Sequence, residues 1–222
     1  MPRASLNEVE ALARKAARGA GMSWGLAEET GKAVRWLALY GLPSLAPLVD
    51  LLAAQDGADY ADLRPIETLE GDGRAVWRAS GGALCPIAAG AALADLAAPI
   101  AEGRETLLVQ LREPVLLLPF VARAARYEGE AFAVEAAGVH AALGPGGPAP
   151  FDAALAAARG PVDVTVHAEA EAPAPQPEPG VGGVAAPGDL WRRADAFAHR
   201  TYVPASEASR LSGAGAGTSD ND

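Results

Sequence analysis

Cysteine is almost missing from this chain: its 222 residues carry one, Cys85. A single cysteine excludes an internal disulfide and every metal site built on clustered thiolates. Lysine is scarce as well, with two against sixteen arginines, a ratio that beside so much Ala, Gly and Pro looks like high-GC coding bias. Cations fall short of acids. The formal charge of −10 argues against nucleic acid or an anionic membrane as the main partner, because both attract basic surfaces. Aromatic residues make up only 5%. Alanine therefore dominates the hydrophobic half of the chain, and a helix-rich core is expected. Long hydrophobic runs are lacking too. The most apolar window, Ala83 to Ala101, is interrupted by Pro86, Asp95 and Pro99 and is too weakly hydrophobic to span a bilayer. The opening MPRASLNEVE has no apolar core of the signal-peptide kind, so a cytoplasmic protein is the expectation.

What is there begins with helices. Ser5 and Glu8 form a capping-box pattern, and Leu6, Val9, Ala13, Ala16 and Ala17 follow at helical spacing. Gly19 and Gly21 supply a stop. Ser23 caps a second predicted helix running to Tyr40, with Gly41 beyond its end, and a third follows Pro43. Glu10–Arg14 and Glu28–Lys32 are spaced as i,i+4 pairs on a solvated face. Residues 55–73 are acidic and turn-rich and read as a surface connection, followed by a short strand near Ala75–Arg78 and an Ala-rich helix over 84–98. Beyond Glu105 the pattern reads strand (Glu105–Leu111), helix (Leu116–Tyr127), strand (Glu130–Ala136), strand (Gly138–Leu143), short helix (from Phe151) and strand (Val162–His167). That β-α-β-β-α-β order predicts an α+β fold with a ferredoxin-like centre. Residues 168–188 form an acidic Pro/Ala linker, expected to be extended and flexible. A last helix from Asp189 and a Gly-rich tail complete the chain. The expected division is thus 1–54, 55–167, 168–188 and 189–222.

No compact catalytic constellation stands out. His140 and His167 fall on the polar phase of predicted strands separated by another strand, about 9–10 Å apart, too far to share a zinc ion. No metal is expected. Cys85 lies beside Pro86 at a helix start, where a thiol can be activated; the commoner role of a lone cysteine in Ala-rich sequence is a small buried side chain. Ser80-Gly81-Gly82 could present backbone N–H groups to an anion, but there is no Gly-Lys-Ser/Thr and no GxGxxG, so no nucleotide cofactor is expected. The C-terminal run is denser in polar groups than the linker. It holds Tyr202, Ser206, Glu207 and Arg210, then glycines, then Asp220, Asn221 and Asp222. Three readings stay open: a frayed end, a tail docked through its glycine backbone, and a hard-cation site.

The stretches SLNEVEALARKAARGAGMSWGLAEETGKAVRWL and RTYVPASEASRLSGAGAGTSDND resemble the two signature ends of an uncharacterised bacterial domain-of-unknown-function family. The resemblance implies no activity; it does imply that the tail belongs to the family's design. The N-terminal helix pair with its GLPSLAPLV continuation is also similar to the opening of the malate/L-lactate dehydrogenase family that is not of Rossmann type. That family carries a Ser-His-Gly motif after its second helix. Here the place reads Tyr40-Gly41-Leu42-Pro43-Ser44, without the histidine, and the chain is much shorter, so a dehydrogenase is not inferred.

Three functions follow as expectations. The first is an accessory protein that binds a protein partner, or itself, through the tail and the N-terminal helices. The second is an enzyme for a small carboxylate, with Glu8, Arg18, Glu28, Lys32 and Arg35 facing Tyr202, Ser206, Glu207 and Arg210. The third is a sensor holding a small molecule on a sheet face with Gln110, His140, Thr165 and His167.

Overall fold

Ser5 starts the first helix as its sequence implies. Its Oγ accepts from the Glu8 N–H at 3.2 Å, and its own N–H donates to Glu8 Oε2 at 2.8 Å. This closes the capping box on orphan donors at both residues. In the computed structural model, which describes residues 3–150, 154, 157–176, 184–185 and 187–202, the helix α1 spans Leu6–Gly19 and buries Val9, Leu12, Ala13, Ala16 and Ala17. Helix α2 (Trp24–Leu39) starts at Ser23, whose side chain accepts from Leu26 N–H, and buries Ala27, Thr30, Gly31, Ala33, Val34, Leu37 and Ala38. The two facing stripes are made of small residues, so the backbones come close. A Cβ built on Gly31 would stand 3.1 Å from the Glu10 carbonyl oxygen. That closeness redirects the charges. The expected pairs within each helix are replaced by bridges across the antiparallel pair, Arg14 to Glu28 (3.2 Å) and Arg35 to Glu10 (3.4 Å). Lys32 turns to Glu29 instead of Glu28 (2.9 Å).

Helix α3 (Leu45–Ala54) is apolar almost throughout. On α1 and α3 rests the C-terminal helix, α7 (Gly188–Ala198), which a 3-10 turn, His199–Thr201, continues. A Cβ on Gly19, the last residue of α1, would fall inside the Phe197 carbonyl, so glycine is what lets the helices meet here. Arg193 to Asp50 (3.0 Å) and Arg200 to Asp56 (2.6 Å) bridge the same junction. Strand β1 (Arg3–Ala4) also pairs antiparallel with β9 (Val184–Ala185). The segment expected to be a flexible linker thus contains a strand bonded to the N-terminus. Within the same segment the Gln176 N–H donates to the Pro148 carbonyl at 2.8 Å.

Between these ends lies a mixed seven-stranded sheet. Its strands are β2 (Ile66–Leu69), β3 (Ala75–Arg78), β4 (Thr106–Leu111), β5 (Ala131–Ala136), β6 (Val139–Gly144), β7 (Gly147–Pro148) and β8 (Val162–Glu169), in the spatial order β2-β3-β4-β8-β5-β6-β7. The α+β class is as expected. The ferredoxin-like strand order is not: β8 inserts between β4 and β5, giving 1-4-2-3 for those four strands in place of 4-1-3-2. Two further strands extend the sheet beyond β4. The 55–73 connection holds β2, hairpinned onto β3. From β3 the chain passes through α4 (Pro86–Asp95) and α5 (Ala98–Ala101) to β4, which runs parallel to β3. The Val115–Leu118 run is helical, a 3-10 turn (Pro114–Leu117) leading into α6 (Leu118–Glu128), with Pro119 in the first turn where its missing N–H costs nothing. The short helix expected from Phe151 lies largely outside the described residues.

One contiguous apolar core joins helices and sheet, from Val9 and Leu12 through Leu48, Leu52, Leu84 and Ile87 to Phe120, Phe132, Val166 and Phe197. Its alanines and glycines leave little slack. A Cβ on Gly90 of α4 would collide with the Phe120 ring of α6. No helix among the described residues is long and apolar enough to cross a membrane.

The tightest junction is also the easiest to test. Gly19→Ala forces a methyl into the Phe197 carbonyl, and overpacking of this kind costs about 1–3 kcal/mol. Urea unfolding should show that loss in the midpoint with the slope unchanged. A wild-type midpoint would mean that α1 and α7 do not meet this closely.

Candidate functional site

Helix α2 ends in a way that opens a cavity beside it. The Leu42 N–H returns to the Leu37 carbonyl and the Gly41 N–H to that of Ala38, with Gly41 at φ +70°. This is the double hydrogen-bonded stop that glycine permits. Pro43 then turns the chain into α3. In the angle between α2, α3, the first turn of α1, β9 and the start of α7 lies a cleft of about 960 Å³. Its floor is apolar: Leu6, Ala38, Leu39, Leu42, Leu45, Val184 and Leu190. Its polar groups are Arg3, Ser5, Asn7, Arg35 and Ser44. The Arg35 guanidinium is held in place by Glu10 at 3.4 Å and the Asn7 side-chain oxygen at 3.4 Å. Among the described lining residues there is no Asp, Glu, His, Cys or Lys. An apolar surface beside a guanidinium offers contacts to an apolar body with an anionic end.

The residues singled out from sequence are dispersed. Glu8 closes the cap of α1, and hydrogen bonds from Ser5 hold its carboxyl below the usual range. Arg18 donates to the Met22 carbonyl at 2.6 Å and lies over the Trp24 ring. Glu28 pairs with Arg14. Lys32 pairs with Glu29 and does not line the cleft. Among the described candidates only Arg35 lines the cleft. Tyr202 lies at the far end of α1, its hydroxyl 3.3 Å from Lys15 Nζ and its ring edge-on to His199. Ser206, Glu207, Arg210, Asp220 and Asp222 lie outside the described residues. Sequence reasoning missed Arg3, Leu42, Val184 and Leu190. The signal for β9 was a β-branched residue inside a Pro/Gly stretch, a pattern that outside a folded context marks nothing.

The sheet face carries two diagonal pairs, His140 to Glu169 (2.9 Å) and His167 to Glu135 (3.5 Å). Strand β5 separates the two histidines, as the sequence reading required, although in another strand order. Thr165 lies opposite Glu135 across β5 and β8. Gln110 falls out of register, in a bulge at φ +53° where its N–H donates to Asp163. No group of three potential metal ligands forms among the described residues. Cys85 is fully buried at the start of α4, and desolvation pushes its thiol up to about 11 despite hydrogen bonds from the Ala88 and Ile87 backbone. The Gln55 amide and Tyr60 hydroxyl are buried near it, without a well-formed hydrogen bond among the described residues. Burial raises the tyrosine pKa as well.

Residues 4–85 match the model of a protein family of unknown function, DUF3726. The resemblance read at the N-terminal end is thus borne out; the C-terminal signature lies beyond the matched region. No curated protein matches the chain. Among solved structures, a dehydrogenase from Sinorhizobium meliloti superposes with a TM-score of 0.56 at 15% identity, over 90% of this chain and 94% of that one. At that identity the likeness shows a shared fold. A malate dehydrogenase from Entamoeba histolytica matches with a TM-score of 0.46 at 11% identity, over 61% of this chain. The chain spans 38% of the length of that protein.

The burial of Cys85 sets a direct expectation. A thiol-specific disulfide reagent in mildly alkaline buffer should leave the native protein unmodified and label one thiol per chain after unfolding in guanidinium chloride. Stoichiometric labelling of the native protein would contradict the buried placement.

Proposed function

We propose that this protein acts by binding, and that the cleft between its N-terminal helices and its returning C-terminal segment holds a molecule with an apolar body and a carboxylate or similar anionic end. One observation carries the reading: an apolar floor from α1, α2, α3, β9 and α7 lies under a guanidinium fixed by Glu10 and Asn7. Such a floor rewards buried methylenes, about 0.8 kcal/mol each. The guanidinium supplies charge-assisted hydrogen bonds to an oxyanion. This reading differs from the protein-partner role expected from sequence; it keeps only the N-terminal helices as the recognising wall. Catalysis on a small carboxylate at the same cleft would need an acid or base, and the described lining offers none.

Titration calorimetry with butanoate, octanoate and dodecanoate tests it. Affinity should rise with chain length, and Leu39→Trp, which fills the floor, should abolish octanoate binding. Arg35→Ala should weaken it by about tenfold, the order expected for one charge-assisted hydrogen bond, with the unfolding midpoint followed as a control for the α1–α2 contact. Absence of saturable binding, or affinity independent of chain length, would overturn the proposal.

A further inference from the structure

Helix α2 has a second working side. Around the helix from Arg35 it presents Lys32, Trp36 and Tyr40, one turn apart, toward α6, which presents Phe120, Arg123 and Arg126 at three-residue spacing. The turn between β6 and β7, Gly144-Pro-Gly-Gly147, forms the third wall of a pocket of about 340 Å³, a size typical of small-molecule sites. The walls are fixed. Tyr40 and Trp36 pack at 4.7 Å between ring centroids. A Cβ on Gly147 would stand 3.4 Å from the Tyr40 hydroxyl, and one on Gly144 3.1 Å from Pro173, so the turn is held between α2 and the chain that follows β8.

The charge of this pocket runs against that of the protein. Among the described lining residues Lys32, Arg123 and Arg126 face one acid, Glu29, three positive charges against one negative in a chain of formal charge −10. Glu29 is engaged by both Lys32 and Arg123. Burial opposes its ionisation, and the hydrogen bonds and charges of these two partners more than offset it, holding the carboxyl below its usual value. Arg123 also lies over the Phe120 ring. Arg126 is exposed at the pocket rim, and no hydrogen bond or ion pair holds it among the described residues. The pocket thus joins aromatic surface to a net charge of about two positive units. It is focused by low-dielectric walls against an acidic background, the condition under which a local field attracts a counter-ion most strongly.

We propose that this pocket is a second binding site, for an aromatic ring bearing a dianionic phosphate. The ring would lie against Trp36 and Tyr40, and the phosphate would take Arg126 and Lys32. A phosphate suits these two because the planar guanidinium can pair with two of its oxygens while the ammonium acts as a point charge. It shares no lining residue with the cleft, although both border α2.

Phenyl phosphate is the probe, titrated by calorimetry into the full-length protein beside inorganic phosphate and phenol. Phenyl phosphate should bind saturably, at least tenfold more tightly than either fragment, with an affinity that falls as salt rises. Arg126→Ala and Lys32→Ala, both at exposed side chains, should each weaken it by about tenfold, whereas Leu39→Trp in the cleft should leave it unchanged. The proposal is overturned by an absence of saturable binding, by equal affinity for inorganic phosphate, or by unchanged affinity in the Arg126→Ala protein with its wild-type unfolding midpoint.

Discussion

The contact between the last turn of α1 and the Phe197 carbonyl of α7 is the constraint on which the rest of the molecule depends. It is possible because residue 19 has no side chain. Bringing the backbones together there lays α7 along α1 and α3, sets Arg193 beside Asp50 and Arg200 beside Asp56, and points Tyr202 at Lys15. At the other end of the same helix pair, the chain entering α7 pairs with β1. The cleft is what remains between these two points of attachment. Surface ion pairs such as these contribute little singly. The apolar contact of Ala194, Phe197 and Ala198 with the common core and the close backbone approach do most to hold the C-terminal helix.

The same economy of side chains shapes α2. Its small residues let it lie close to α1, and its two outer edges line different cavities. One edge carries Arg35 over an apolar floor, and the other carries Lys32, Trp36 and Tyr40 into a cationic pocket. A larger residue at position 31 would push α2 away from Glu10 and would shift both sites together.

Local signals were legible in the sequence. The capping box at Ser5, the stop at Gly41, the Pro-initiated α6 and the alternating β8 were all readable because each is decided by a few neighbouring residues. What could not be read was decided by pairing over distance. The order of β4, β8, β5 and β6 depends on whether β8 enters between β4 and β5 or adds outside β4, and alternation along β8 is the same in either place. The ion pairs of α1 and α2 followed i,i+4 spacing on paper, but the helix–helix distance, set by Gly31 and the alanines, sent them across. For the site, Arg35 was found as a charge on a helix. Its apolar floor was not, because that floor is assembled from five elements, one of them a two-residue strand inside a Pro/Gly stretch.

Amide hydrogen exchange across α7 tests the central claim most directly, that the C-terminal helix and the N-terminal helices form one cooperative unit enclosing the cleft. The account predicts that the interior amides of Gly188–Ala198 exchange with the same free energy of opening as those of Leu6–Gly19. Exchange of the α7 amides at the rate of an unstructured peptide, with α1 still protected, would contradict it.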